Sequence, residues 1–199
     1  MTGSGSSYIQ GLGNHKIGKK SLSDYLKSFD RIVITGANGA GKTSLARAVA
    51  GNKPLIHLDA LKLTTDWSLR PVPETRADLE NRMSVKTWVI EGGPSLLSPE
   101  VLECADLVIW LDPSVVRRAW QLAKRVLNAR GKTRPELPEG NPDYFLPQLK
   151  FALKSLLRQR AFDAEIVKQL APLDMVPCVR VRNVRELSVK LDAMNVCPP

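Results

Sequence analysis

Gly36, Gly41, Lys42 and Thr43 stand in the spacing G-x-x-x-x-G-K-[ST], with a further glycine at Gly39 and the small residues Ala37, Asn38 and Ala40 between them. Glycines at these positions let successive backbone N–H groups converge on one point, and a lysine followed by a hydroxyl adds a point charge and an oxygen ligand. The run Arg31 to Thr35 before the loop is short and β-branched, and Ser44 to Ala50 after it has helical composition. That strand-before, helix-after setting separates a phosphate-binding loop from a chance match, and the helix N-terminus adds its own favourable dipole. The expected occupant is a nucleoside triphosphate, ATP by default, held by residues from Gly36 through Ser44. Lys42 is expected to reach the β- and γ-phosphates, and the Thr43 hydroxyl to ligate Mg²⁺.

A magnesium ion held in this way normally has an acidic partner at the end of a neighbouring strand, whose carboxylate orients the ion's waters. Asp59 follows Leu55 to Leu58, Glu91 follows Trp88 to Ile90, and Asp112 follows Leu107 to Leu111, so all three qualify. Asp112 precedes Pro113 and fits a helix N-cap better, and Asp59 has a capping alternative of its own. Asp59 and Glu91 are the carboxylates expected to support the metal. His57, inside a strand, and His15, near the start, are not expected as catalytic bases.

From Pro113 through Pro135 there is no carboxylate, while Arg117, Arg118, Lys124, Arg125, Arg130, Lys132 and Arg134 all fall there. A block of one sign suggests a surface facing phosphates; a solvated helix face is the plainer alternative. Adjacent arginines on a helix cannot face the same way, so Arg125 and Arg134, rather than Arg117 and Arg118, are expected over the donor phosphates. The stretch from Asp59 to Arg76 holds Lys62, Asp66, Trp67 and Arg70, a mixture able to stack on a ring and pair an anion. Asp59, Trp67 and Arg70 are the candidate acceptor residues, with simple packing of Trp67 on the sheet equally open.

These side chains need a scaffold, and the apolar runs supply one. Arg31 to Thr35, Leu55 to Leu58, Trp88 to Ile90, Leu107 to Leu111 and Val176 to Val181 have the length and composition of strands buried on both faces of a parallel sheet. Helical patterns lie between them, at Ser21 to Ser28, Ser44 to Ala50, Arg76 to Met83, Ser98 to Cys104, Ser114 to Ala129, Tyr144 to Gln169 and Arg185 to Met194. The class expected is α/β, three-layered, with right-handed crossovers. At 199 residues a single domain suffices. Residues 1–20, rich in Gly, Ser and Lys, are expected as a flexible leader, and 21–199 as the domain, with a lid over about 113–142. Cys104, Cys178 and Cys197 lack metal-ligand spacing and are expected to be buried or in the tail. No apolar run is long enough for a membrane span and no secretory signal opens the chain, so a cytoplasmic location is expected. The formal charge of +9 leaves nucleic acid open as a partner.

Taken in order, these features resemble the nucleoside-monophosphate-kinase-like P-loop proteins related to adenylate kinase, and among them the small DNA topology modulation proteins. The resemblance rests on the loop, on Leu58-Asp59 followed by Trp67 and Arg70-Pro71, on Trp88 to Gly92, on Ala105 to Asp112, and on Arg134 to Gly140. It implies a five-stranded parallel sheet of order 2-3-1-4-5, an acceptor segment after strand 2 and an arginine-bearing lid after strand 4. It also implies a catalytic set of Lys42, Asp59, Glu91, Arg125 and Arg134. Two positions depart from the relatives, which usually have Asp at Glu91 and often an arginine near Gln121. The function implied is ATP-dependent phosphoryl transfer to a nucleotide-like or other small-molecule acceptor. A nucleotide-dependent regulatory or nucleic-acid-binding NTPase and a polynucleotide 5′-kinase are the alternatives.

Overall fold

The computed structural model describes residues 12–18, 20–94, 98–129, 131–171 and 176–193. A short antiparallel ribbon, β1 (Lys16–Ile17) with β2 (Lys20–Ser21), leads into α1 (Leu22–Lys27), where the Ser21 hydroxyl oxygen accepts from the Asp24 amide at 3.1 Å. The chain then alternates: β3 (Arg31–Gly36), α2 (Lys42–Ala50), β4 (Leu55–His57), α3 (Leu58–Lys62), α4 (Val72–Met83), β5 (Trp88–Gly92), α5 (Pro99–Glu103) and β6 (Leu107–Leu111). Next come α6 (Val115–Asn128), an antiparallel ribbon of β7 (Lys132–Thr133) with β8 (Pro142–Asp143), α7 (Phe145–Leu157), α8 (Gln159–Leu170), β9 (Cys178–Val181) and α9 (Val184–Ala193).

The main sheet is five-stranded and parallel, in the order β4-β5-β3-β6-β9, which is 2-3-1-4-5 when its strands are counted along the chain. Alternate residues of a strand point to opposite faces, so a central strand covered on both sides must be apolar at nearly every position. Strand β6 meets this demand, all five residues of Leu-Val-Ile-Trp-Leu being buried. On one face Ile32, Ile34, Val89, Ile109 and Val179 pack against α1, α2 and α9; on the other Val33, Ile56, Trp88, Ile90 and Val108 pack against α4 and α5. The carboxyl ends of β3, β4 and β5 converge on the loop before α2.

Several boundaries differ from expectation. Leu12 and Ile17 lie in the sheet's first core rather than in a flexible leader, because two apolar side chains among glycines and lysines suffice to dock a short segment. Residues 1–11 and 19 lie outside the described set. Strand β4 stops at His57, one residue before the expected Leu58, so Asp59 sits in the first turn of α3, whose N-cap is His57. The long helix expected from Tyr144 to Gln169 divides at Arg158, whose backbone leaves the helical region (φ −91°, ψ 12°). No glycine or proline marks that break. Pro147 falls in the first turn of α7, where a missing amide costs nothing. Asp112 is not a cap: the Ser114 hydroxyl receives the Arg117 amide at 3.4 Å, and Asp112 pairs with Arg180 at 2.6 Å. Cys104 is exposed, against the expected burial; Cys178 is half-buried, and burial pushes its thiol up to about 11. Cys197 and Arg130 lie outside the described residues.

Candidate functional site

The loop is shaped by its glycines. Gly36, the last residue of β3, has φ +147°, and a β-carbon there would stand 2.3 Å from the Leu111 carbonyl oxygen. Within the loop the Ala40 amide donates to the Ala37 carbonyl at 3.1 Å. Gly41, left-handed at φ 96°, turns the chain into α2 with no side chain capping the helix. An uncapped helix N-terminus preceded by a tight backbone turn is suited to an anion.

Lys42 is almost wholly buried, and its Nζ donates to the Ala37 carbonyl at 3.3 Å. Burial pushes its ammonium below the ordinary lysine value; Glu91 and Asp59 oppose this, and the positive charges of Arg118 and Arg125 add to it. A buried cation with one neutral hydrogen-bond acceptor is stabilised strongly by an arriving phosphate.

Glu91 is brought to the loop by sheet register. It lies on β5 opposite His57 of β4, and His57 Nδ1 is 2.8 Å from its Oε1, with the ring donating to the acceptor-only carboxylate. The Thr43 hydroxyl donates to the same oxygen at 3.1 Å. Burial pushes the Glu91 carboxyl up, but the His57 hydrogen bond, the Lys42 charge and the Thr43 hydroxyl outweigh it and hold the group below the usual range. With its proton committed to Glu91, the Thr43 oxygen keeps lone pairs for a cation. The donor set is compatible with magnesium: Thr43 would be the direct protein ligand, and Glu91, with Asp59, would supply carboxylates for the ion's waters. Among the described residues no cluster of three or more His, Cys, Asp or Glu could hold a metal alone. Phosphate oxygens would have to complete the shell. Asp59 is exposed on α3, close enough for its charge to act on both Lys42 and Arg125.

The basic segment divides in function. Arg117 is exposed, whereas Arg118 is buried and donates from Nε to the Asn38 carbonyl of the loop at 3.0 Å and from one terminal nitrogen to the Ser155 carbonyl at 3.4 Å. Arg118 thus ties α6 to the phosphate loop and to the end of α7, a role not foreseen for it. Arg125 and Arg134 share the buried carboxylate of Asp143, at 3.8 and 2.9 Å, and Arg134 also reaches Glu136 at 3.5 Å. Neither Nε–H points at an acceptor; both are buried without a hydrogen bond, so the contacts with Asp143 are ion pairs by distance alone, whereas a terminal nitrogen of Arg134 donates to Glu136. Burial and the charge of Arg134 lower Arg125 to about 10, against the pull of Asp143, Glu136 and Asp59.

Trp67 meets this segment. The Arg134 guanidinium lies 5.9 Å from the centre of its ring, and its indole N–H donates to the Pro142 carbonyl at 3.3 Å. The turn carrying it is fastened by Asn141, which is fully buried. Its Oδ1 accepts from the Trp67 amide at 2.6 Å, and its Nδ2 donates to the carbonyls of Thr64 and Pro138 at 2.6 and 3.0 Å. Asp66 and Trp67 both have positive φ, 56° and 57°, a conformation side-chain-bearing residues adopt at a cost of about 1–3 kcal/mol each. Asn141→Ala is expected to lower stability by about 2 kcal/mol, since its partners lose hydrogen bonds while the turn relaxes some strain. Urea unfolding checks the loss, and a shift in Trp67 emission checks that the turn is released.

Arg70 stands apart. Its guanidinium pairs with Asp78 at 3.0 Å and with the Leu61 carbonyl at 3.3 Å, turned toward α4 rather than the phosphate loop. The structure thus gathers Lys42, Thr43, Glu91, Asp59 and Arg125 within one electrostatic neighbourhood and puts Arg134 and Trp67 on its rim. Asn141 was not singled out from the sequence, and His57 and Arg118 were considered there only to be set aside. Register would have flagged His57, once the strand pairing was known.

No family model and no curated protein sequence matches the chain. Among solved structures, a shikimate kinase from Acinetobacter baumannii in complex with shikimate is 17% identical with a TM-score of 0.46, covering 87% of this chain and 96% of that one. TT1252 from Thermus thermophilus is 16% identical with a TM-score of 0.47, covering 82% and 95%. At such identities and scores the assignment rests on the molecule itself: a five-stranded parallel sheet of order 2-3-1-4-5, with a glycine-rich loop between its first strand and first helix, is a P-loop fold.

Proposed function

We propose that the protein is an ATP- and magnesium-dependent phosphotransferase acting on a small acceptor. The observation that supports this best is the meeting of two elements beside the buried Lys42 and Glu91: the arginine-bearing segment of α6 and β7, and the Trp67 turn after α3. A simple NTPase needs a phosphate loop and a water; a cleft bounded by a second, aromatic and basic wall suits a second substrate. In this reading Lys42 and the loop amides hold the β- and γ-phosphates, and bound magnesium supplies charge neutralisation across them. Asp59 takes the proton of the acceptor hydroxyl. The new P–O bond forms as the bond from the γ-phosphorus to the bridging oxygen breaks, and the diphosphate leaves. Arg125 and Arg134 exchange Asp143 and Glu136 for phosphate oxygens, a planar fork suiting either partner.

A transfer screen with radiolabelled ATP over nucleosides, nucleotides, hydroxy acids and 5′-hydroxyl oligonucleotides tests the reading, with Lys42→Ala as control. Labelled product that depends on Lys42 is expected from a small acceptor. Free phosphate alone, or product indifferent to Lys42, would sink it. The narrower likeness to DNA topology modulation proteins, with nucleic acid as partner, is supported by net charge and motif order. The oligonucleotide arm decides that alternative, because neutralising a phosphate backbone makes binding steeply salt-dependent.

A further inference from the structure

Helices α6 and α7 pack antiparallel. Arg118, early in α6, meets the Ser155 carbonyl late in α7, and Arg125, late in α6, lies with its guanidinium 5.3 Å from the ring centre of Phe151. Leu122 and Val126 of α6 close on Ala152 and Leu156 of α7 along the seam. Beyond the seam Val116 (80% exposed), Trp120 (61%), Leu127 (69%), Leu146 (65%), Leu153 (55%) and Leu157 (87%) stand in water. Single exposed leucines need no explanation, but a contiguous apolar face marks an interaction site.

These side chains do share one face. At 3.6 residues per turn, Val116, Trp120 and Leu127 lie about 120–160° round α6 from Leu122, and Leu146, Leu153 and Leu157 lie about 100–140° round α7 from Ala152, with the same rotational sign. In an antiparallel pair, equal signs bring residues to the same side of the seam. Arg125 and Phe151, both of the opposite sign, meet on the inner side, where Arg125 also pairs with the buried Asp143. The apolar residues are therefore the outer crests of two neighbouring helices and not the groove between them. On the shoulders past each crest stand Arg117 and Lys124 on α6, and Lys150 and Lys154 on α7, all exposed. Neither helix contains a carboxylate, and among the described residues none of these cations has an ion-pair partner.

Shape and charge together select the occupant. A second copy placed here by a twofold axis would set these cations against their own kind with no carboxylate on either helix, which opposes self-association. A single partner helix, about 10 Å across, seats in a groove and leaves the outer crests bare. A bilayer is flat enough to meet both crests, accepts leucine and tryptophan at its interface, and brings the negative charge that the shoulders call for. Lysine and arginine stems are long enough to reach headgroups from beside an inserted apolar crest. Among the described residues no helix is long and apolar enough to cross a membrane, so such an association is peripheral.

We infer that the α6–α7 face is a docking surface for an anionic lipid bilayer. Trp120, Leu127, Leu146, Leu153 and Leu157 enter the headgroup boundary, and Arg117, Lys124, Lys150 and Lys154 pair with the acidic headgroups.

Co-sedimentation of the full chain with vesicles of phosphatidylcholine and phosphatidylserine in equal parts, and with vesicles of phosphatidylcholine alone, tests this. Binding to the mixed vesicles that weakens as salt rises is expected, with little binding to the neutral ones. Leu127→Gln with Leu153→Gln keeps the charge and is expected to weaken binding about tenfold or more. Lys150→Gln with Lys154→Gln should do so on the order of tenfold. All these side chains are exposed, so melting temperatures should stay as they were, and Trp120→Gln serves should the leucine pair unfold. Lys16→Gln with Lys20→Gln removes the same charge from the β1–β2 ribbon and is expected to leave binding unchanged. Absence of binding to the mixed vesicles overturns the inference. Binding that ignores the leucine pair, or that falls equally with the ribbon lysines, overturns it too, because net charge alone then explains it. So does a dimer in solution that the leucine pair dissolves, since a second copy then covers the face.

Discussion

Lys42→Met is expected to abolish phosphoryl transfer and yet leave the fold as stable as before, or more so. The activity loss should be on the order of a thousandfold, the scale for removing one preorganised donor aimed at developing charge. Stability should move the other way. The ammonium is buried against a single carbonyl, and its ordinary value of 10.5 is lowered first of all by that burial. Glu91 does not depend on Lys42 alone, since His57 and Thr43 also serve its carboxylate. Replacing a buried charge by an apolar chain of similar shape is often neutral or stabilising by about 1–4 kcal/mol. The pH dependence gives a sharper readout. Because the lysine holds its proton less tightly folded than unfolded, the unfolded chain binds more protons between the lowered value and 10.5, and stability rises with pH across that window. Lys53 and Lys62 are lowered too and contribute slopes of the same sign. The difference between the two proteins therefore isolates Lys42: urea unfolding of the methionine variant should show a shallower rise toward pH 10.5. Full activity in that variant would remove the loop from the chemistry.

How far the molecule could be read in advance depended on how local each determinant is. Strands such as Leu107–Leu111 were legible because burial on both faces leaves no freedom of residue type. The loop was legible because the conformations it needs are open to few residues besides glycine. Asn141 was not, since an asparagine among Pro138, Gly140 and Pro142 looks like any turn residue until the Trp67 turn arrives from far along the chain. The break at Arg158 was hidden for a related reason: the buried Arg118 guanidinium takes the Ser155 carbonyl near the end of α7, a tertiary contact with no local signal. That Arg117 and Arg118 face opposite ways was legible from helix geometry, but not that Arg118 is the one that turns inward, to the loop.

Gly36→Ala is expected to cost the most stability of any single methyl in the loop. Gly36 is in register with Leu111 of β6, and the added carbon would lie 2.3 Å from the Leu111 carbonyl oxygen and 3.2 Å from its carbon. Both are backbone atoms of a central strand. They cannot withdraw without disturbing the ladder that β6 shares with β9, where the Asp112 amide donates to Val181 at 2.8 Å. The φ of +147° adds strain for any residue bearing a side chain. Overpacking of a tight interior costs about 1–3 kcal/mol and the backbone conformation about 1–3 more, so a loss of about 3 kcal/mol is expected. For a chain of this length that corresponds to a fall in melting temperature of roughly 6–12 °C. Gly39→Ala is the informative comparison. Its nearest obstacle is the Leu122 side chain at 2.9 Å, with the Arg118 carbonyl at 3.1 Å. Leu122 can give where a strand carbonyl cannot, so Gly39→Ala should melt closer to the unmodified protein. Its cost should fall on triphosphate affinity, because making room for the methyl against Leu122 and Arg118, at a φ of +78°, shifts the loop backbone whose amides are to face the phosphates. Thermal melts with and without ATP and magnesium separate the two. Equal destabilisation by both alanines would mean that backbone conformation, not the contact with Leu111, governs the loop.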